Sequence, residues 1–126
     1  MGSGKRISKF EKARRKAFRF YSIKWRGHES VTPAFNQKVL ITRSGWDHLI
    51  NPSRKRTKVE QMERFEILPL AKKLLETAVT FQEHRQDNLG HYFAFAGYIG
   101  GRKIKVVVRS KSFKGQKYFY SVMVLW

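Results

Sequence analysis

The chain has no cysteine, so a disulfide framework and a thiolate metal site are both excluded, and the redox compartment leaves no mark on it. Acidic residues are scarce: nine Asp and Glu stand against 27 Lys and Arg, a formal net charge of +18. The acids are scattered rather than paired. The four histidines, His28, His48, His84 and His91, lack metal-ligand spacing, and there is no His-Glu-x-x-His motif and no glycine-rich phosphate loop. The sequence therefore predicts no metal and no cofactor. No apolar run approaches the ~18 residues of a membrane span, and the N-terminus lacks the apolar stretch of a secretory signal. The expectation is a protein that does not insert into membranes. Met1 to Gly4 read as an appended leader and take no part in the fold argument.

What is present is positive charge, far beyond the needs of solubility. Like charges repel one another in a compact chain and attract polyanions, so nucleic acid is the first partner to consider, with an anionic membrane surface as the competitor and a basic but inert surface as the plain alternative. The 126 residues allow one domain with one core.

Residues 5–36 hold ten Lys and Arg against Glu11 and Glu29, a net +8, interleaved with Phe10, Phe18, Phe20, Tyr21 and Trp25. Ser8 is a suitable cap for a helix over 8–20, and Phe10, Ala13, Ala17 and Phe20 form a narrow apolar stripe. Two readings stay open: an arm and linker that lie on RNA, or a helix docked on the following domain, its cations solvated. The stretch 27–36, rich in Gly, Ser, Thr, Pro and Asn, reads as the linker, and the domain proper as 37–126.

Residues 38–42 alternate in a β-like way, and Ser44 is a suitable cap for a short helix burying Trp46, Leu49 and Ile50. The strongest helical periodicity runs over 57–78, through Val59, Met62, Phe65, Ile67, Leu68, Leu70, Leu74 and Leu75. Thr57 and Glu60 fit a capping box, and Pro69 predicts a break near Ile67 and Leu68. From Val79 onward four runs (79–84, 92–99, 103–109 and 117–125) are rich in aromatic and β-branched residues. Asp87-Asn88, Gly100-Gly101 and Lys114-Gly115 mark the turns between them. The predicted class is α+β, with N-terminal helices packed on a three- to five-stranded antiparallel sheet.

The stretches ITRSGWDHLI, RKRTKVEQMERFEILPLAKKLLE, HYFAFAGYIGGRKIKVVVR and KYFYSVM, within about residues 38–126, resemble the phage and polymorphic-toxin nucleases of the Barnase–EndoU–colicin–RelE (BECR) superfamily. The resemblance implies a metal-independent endoribonuclease toxin that attacks RNA through the 2′-hydroxyl and leaves a 2′,3′-cyclic phosphate. It implies action in the cytoplasm, delivery as part of a larger toxin, and an acidic immunity protein or antitoxin as partner. A non-catalytic RNA-binding module, phage or ribosome associated, is the alternative.

Such chemistry needs a base, an acid and cations around the phosphorane. An imidazole can give or take a proton near neutral pH, so His48 suits either proton role, although a lone His beside an apolar face also suits packing. Related toxins place a helix His in its position. Arg109 shares a strand face with Lys105 and Val107, opposite Ile104, Val106 and Val108, where its guanidinium can grip a phosphate or simply be solvated. Ser121 is a polar residue in an apolar strand, where resembling nucleases use Ser or Thr. Arg85 and His91 flank the Asp87-Asn88 turn, with His91 as reserve acid. The candidate catalytic set is thus His48, Arg85, Arg109 and Ser121. For RNA binding the candidates are Arg54, Lys55, Arg56 (with Lys58 beside them), Arg64, Lys105 and Tyr120. Tyr120 belongs with Tyr92, Tyr98 and Tyr118 to the tyrosines that alternate on strands and can stack on bases. The inhibitor is expected to cover the Arg54 to Lys58 patch.

Overall fold

The computed structural model describes residues 7–51 and 56–125. The first helix, α1 (Lys9–Arg19), starts where the Ser8 hydroxyl accepts the Glu11 N–H at 3.1 Å. That bond satisfies one of the amides a helix start leaves unpaired. A π-helical segment, Phe20–Trp25, continues it and buries Tyr21 and Trp25 to 1% and 2% exposure. Their rings meet each other and Phe119, with Trp25 and Phe119 5.2 Å apart, and Tyr21 also meets Trp46. The boundary between arm and domain is therefore corrected. Ala17, Tyr21 and Trp25 belong to the same apolar cluster as the sheet, because aromatics of this size gain most by leaving water together. The supposed linker contains β1 (Val31–Thr32), which pairs antiparallel with β2 (Gln37–Leu40).

Helix α2 (Arg43–Leu49) follows β2. Its cap is Thr42, whose hydroxyl accepts the Gly45 N–H at 3.3 Å, and not Ser44, because the helix begins one residue after Thr42. Thr57 and Glu60 close the expected capping box on α3 (Lys58–Glu66). The chain breaks at Ile67 into α4 (Leu68–Thr77), where Pro69 sits in the first turn and its missing N–H costs no helical bond. Val59, expected inside, is 69% exposed: it lies in the first turn of α3, ahead of the buried Phe65.

The remaining strands are β3 (Glu83–Asp87), β4 (Gly90–Ile99), β5 (Arg102–Ser110) and β6 (Lys117–Leu125). Strand β3 starts later than the expected 79–84, since its register is set by the tight turn after Asp87, which pairs Asp87 with Gly90 and Glu83 with Ala94. Gly100 and Gly101, at φ 57° and 78°, supply the two positive φ values that a two-residue hairpin between right-twisted strands requires. The sheet has six strands in the order β1-β2-β6-β5-β4-β3, antiparallel except for β2 beside β6. The α+β layout is as the sequence predicts; the sixth strand is β1, inside the supposed linker.

Phe93, Phe95, Ile104, Val106, Val108, Phe119 and Val122 face the helices and form the core with Leu68, Ala71 and Leu74. The other face carries Lys103, Lys105, Val107 and Arg109, in register with Tyr98, Ala96, Ala94 and Tyr92. Among the described residues no helix is long and apolar enough to cross a membrane.

Because Trp25 is an interior residue, Trp25→Ala should cost about 3–5 kcal/mol, a large part of a small domain's stability. Urea unfolding of the full chain checks this. Removal of residues 7–25 should abolish the cooperative transition, and a truncated chain that unfolds like the whole would restore the separable arm.

Candidate nucleic-acid interface

Strand β2 pairs with β6 only through Val39↔Lys117 and Leu40↔Tyr118. Beyond that point β6 runs on without a strand on that side, and α2 packs against it. The approach is close because residue 45 is glycine. A Cβ there would collide with the Tyr21 hydroxyl and stand 3.0 Å from the Phe119 carbonyl oxygen. The Tyr21 hydroxyl donates to the Thr42 carbonyl at 2.6 Å, tying the π-helical segment to the start of α2. His48, one turn farther along, is half-buried and lies over the Tyr120 ring with centroids 4.1 Å apart.

Tyr120 reaches that position through an irregularity in the sheet. Val107 pairs with Ser121 but Val108 pairs with Phe119, so β6 carries one extra residue, Tyr120, against β5. A bulge of this kind re-aims a side chain and strengthens local twist. The Tyr120 ring also lies 5.2 Å from that of Tyr92, edge to face. Tyr92 is 4% exposed, beneath the Arg85 guanidinium at 4.2 Å and the Arg109 guanidinium at 5.8 Å from its ring centre. Burial pushes the Tyr92 phenol up, against the pull of Arg109. Arg109 also donates to the Leu89 carbonyl at 3.0 Å. Asp87 accepts the Leu89 and Gly90 amides at 2.8 and 3.1 Å; the Leu89 amide first, with further help from Gly90, Tyr92 and Arg85, holds its carboxyl below the usual range.

Between α2 and the β5–β6 end of the sheet opens a cleft of about 480 Å³. His48, Arg109 and Tyr120 line it, as three of the sequence-predicted residues. Ser44, Lys111 and Tyr118 line it as well, and the first two were not anticipated as site residues. Lys111 carries a sequence signal, a cation two residues after Arg109 in an exposed turn; Ser44 carries only the signal of a helix cap.

The other candidates lie elsewhere. Arg85 is one ring removed from the cleft, over Tyr92. Ser121 opposes Val107, half-buried, and does not line the cleft. Lys105 pairs with Glu83 at 3.2 Å. Arg64 donates to the Glu60 carbonyl of its own helix at 3.2 Å. Arg56 donates to the Leu49 carbonyl at 2.8 Å and so ties down the end of α2, a positioning contact. Arg54 and Lys55 lie outside the described residues. His91 does not line the cleft; its Nδ1 stands 2.9 Å from His84 Nε2, with the two rings stacked.

Among known protein families, the model described as "Large polyvalent protein-associated domain 3" matches residues 8–120, from just ahead of α1 into β6. No curated protein and no solved structure matches the chain.

The seat of α2 has a direct test. Gly45→Ala must push the helix away from Tyr21 and Phe119, at a cost of roughly 1–3 kcal/mol, as overpacking does. The thermal midpoint should fall, and the His48 and Tyr120 ring proton resonances should move. An alanine variant with unchanged melting and unchanged ring resonances would show that α2 is not held this way.

Proposed function

The chain belongs to the large polyvalent protein-associated domain 3 family, and in that setting we propose that it is a metal-independent endoribonuclease working in the cleft between α2 and β6. The observation that carries the reading is the meeting of a half-buried imidazole, a guanidinium and an ammonium in one cleft, His48, Arg109 and Lys111, on a chain of net charge +18. Imidazole transfers protons near neutral pH, and the two cations stabilise negative charge where a phosphorane would form.

In this reading the RNA 2′-oxygen attacks the adjacent phosphorus while its proton passes to a base. The bond from phosphorus to the 5′-oxygen then breaks, and an acid protonates that oxygen. The products are a 2′,3′-cyclic phosphate and a 5′-hydroxyl. His48 carries one of the two proton transfers, Arg109 and Lys111 hold the phosphate oxygens, and the Ser44 and Tyr118 hydroxyls add hydrogen bonds from the cleft wall. Tyr120 positions the imidazole by covering its face. The BECR resemblance supports the same chemistry, and the family description supports a domain that works as part of a larger protein. RNA is the proposed substrate, and an acidic inhibitor protein the proposed partner.

One observation favours the alternative of a non-catalytic RNA binder: the 4.1 Å contact of His48 with Tyr120 is also what a packing histidine makes. Labelled RNA incubated with the protein in excess EDTA separates the two. The proposal expects cyclic phosphate ends from RNA and intact DNA, which lacks the internal nucleophile. His48→Ala should lower the rate by about 10²–10⁴-fold with little change in thermal midpoint. A retarded but intact RNA band, or equal cutting of DNA, would replace the ribonuclease with the binder or with a different mechanism.

A further inference from the structure

A second concave surface differs from the cleft in chemistry and shares none of its lining residues. Lys9, Lys12, Lys16, Arg19 and Lys24, along α1 and the π-helical segment, rim a groove of about 790 Å³. Its floor is apolar, with Ala13 and Ala17 on one side and Met62, Phe65 and Pro69 of α3 and α4 on the other. All five cations are exposed, and none has an ion-pair partner among the described residues. Glu66, the acid on the lining, stands 3.7 Å from Arg102 instead.

Two costs are left standing here. The cations repel one another without neutralisation, and the part of the apolar floor formed by Ala13, Met62 and Pro69 reaches water, over the buried Ala17 and Phe65. A bare phosphodiester strand would meet the charges and leave the floor wet. A polypeptide with carboxylates flanking an apolar stripe meets both. The spacing fits a helix: Lys9, Lys12, Lys16 and Arg19 follow one another by three or four residues on one face of α1, and Ala13, beside that stripe and only part-buried, is small enough to admit a close neighbour.

We propose that this groove receives an acidic amphipathic helix of a partner polypeptide, its apolar side chains on the floor and its Asp and Glu against the five cations. The mode is that of a helix laid in a groove, with charge complementarity setting its register and speeding its arrival. The proposal does not rest on the ribonuclease reading, since a helix seated here leaves His48 and Arg109 open.

The test uses the full chain, ¹⁵N-labelled, and a synthetic helix of about 18 residues, with leucines at i, i+3, i+4 and i+7 spacing and glutamates on both flanks. A peptide of the same composition, scrambled so that leucines surround the helix, and a single-stranded oligouridylate are the other probes. The amphipathic peptide should shift the Ala13, Ala17, Met62 and Phe65 amides saturably. Its affinity should fall at least about tenfold for the scrambled peptide and for a Lys12→Glu, Lys16→Glu variant of unchanged circular dichroism, with weaker binding at higher salt. Equal binding of the scrambled peptide would mean that charge alone is recognised and would overturn the proposal. So would the absence of saturable shifts in the groove, or larger shifts there with the oligouridylate. Because cleavage is not read, failure here is distinct from failure of the ribonuclease.

Discussion

The hydrogen bond from the Tyr21 hydroxyl to the Thr42 carbonyl connects the basic N-terminal helix to the candidate cleft. At 1% exposure the phenol has no water to turn to, and burial pushes its ionisation well above the ordinary range, so it remains a donor at any physiological pH. Thr42 caps α2, and Gly45, the third residue after it, offers no Cβ to hold the helix away from β6. Three constraints thus converge on one helical turn: a donated hydrogen bond, a cap and a missing side chain. His48 projects from the next turn. Where the imidazole stands is a consequence of aromatic packing of Trp46, on its own helix, against Tyr21, and of Tyr21 and Trp25 against Phe119, all three far from it in sequence.

The scarcity of acid has a structural counterpart. Glu60 closes a capping box, Glu29 accepts the Ile41 amide at 3.0 Å, Glu76 accepts from Lys72 and Ser30, and Asp87 braces the β3–β4 turn. These carboxylates hold the fold together and neutralise few of the cations, which leaves most of the positive charge facing outward. One cation does the opposite. Lys117 is 1% exposed; its ammonium donates to the Phe113 and Gly115 carbonyls at 2.8 and 2.7 Å and lies against the Phe35 and Phe93 rings. Burial pushes its pKa down, while the carbonyls and ring faces favour the charged form. It ties down the turn between β5 and β6, which brings Lys111 to the cleft.

Much of the fold was legible because local signals agreed with the tertiary answer. Ser8, the Thr57 and Glu60 box, the Pro69 break and the double-glycine hairpin each act within a few residues, and alternation in β5 separated Arg109 from Ile104 correctly. What was not legible depends on distant partners. Nothing local marks the bulge at Tyr120, and β1, with two residues, lies below the length at which alternation can be seen, whereas the alternation around Val39 did mark β2. The N-terminal stripe was visible, but only the positions of Trp46 and Phe119 decide that Tyr21 and Trp25 are interior. Of the candidate site, His48, Arg109 and Tyr120 come together, whereas Ser121, Lys105 and Arg64 have suitable chemistry but no local signal of position and stand outside the cleft.

Under the proposed function His48 faces a phosphate site in the cleft and is more than a packing ring. The most direct measurement is the response of the four histidine Cε1–H resonances to a single-stranded RNA analogue whose 2′-hydroxyls are replaced by hydrogen, so that it binds without being cut. His48 should shift saturably together with the Arg109 side-chain signal, with a smaller response at His84 and His91. If the analogue binds while His48 stays still and the His84–His91 pair moves, the cleft is not where the phosphate sits.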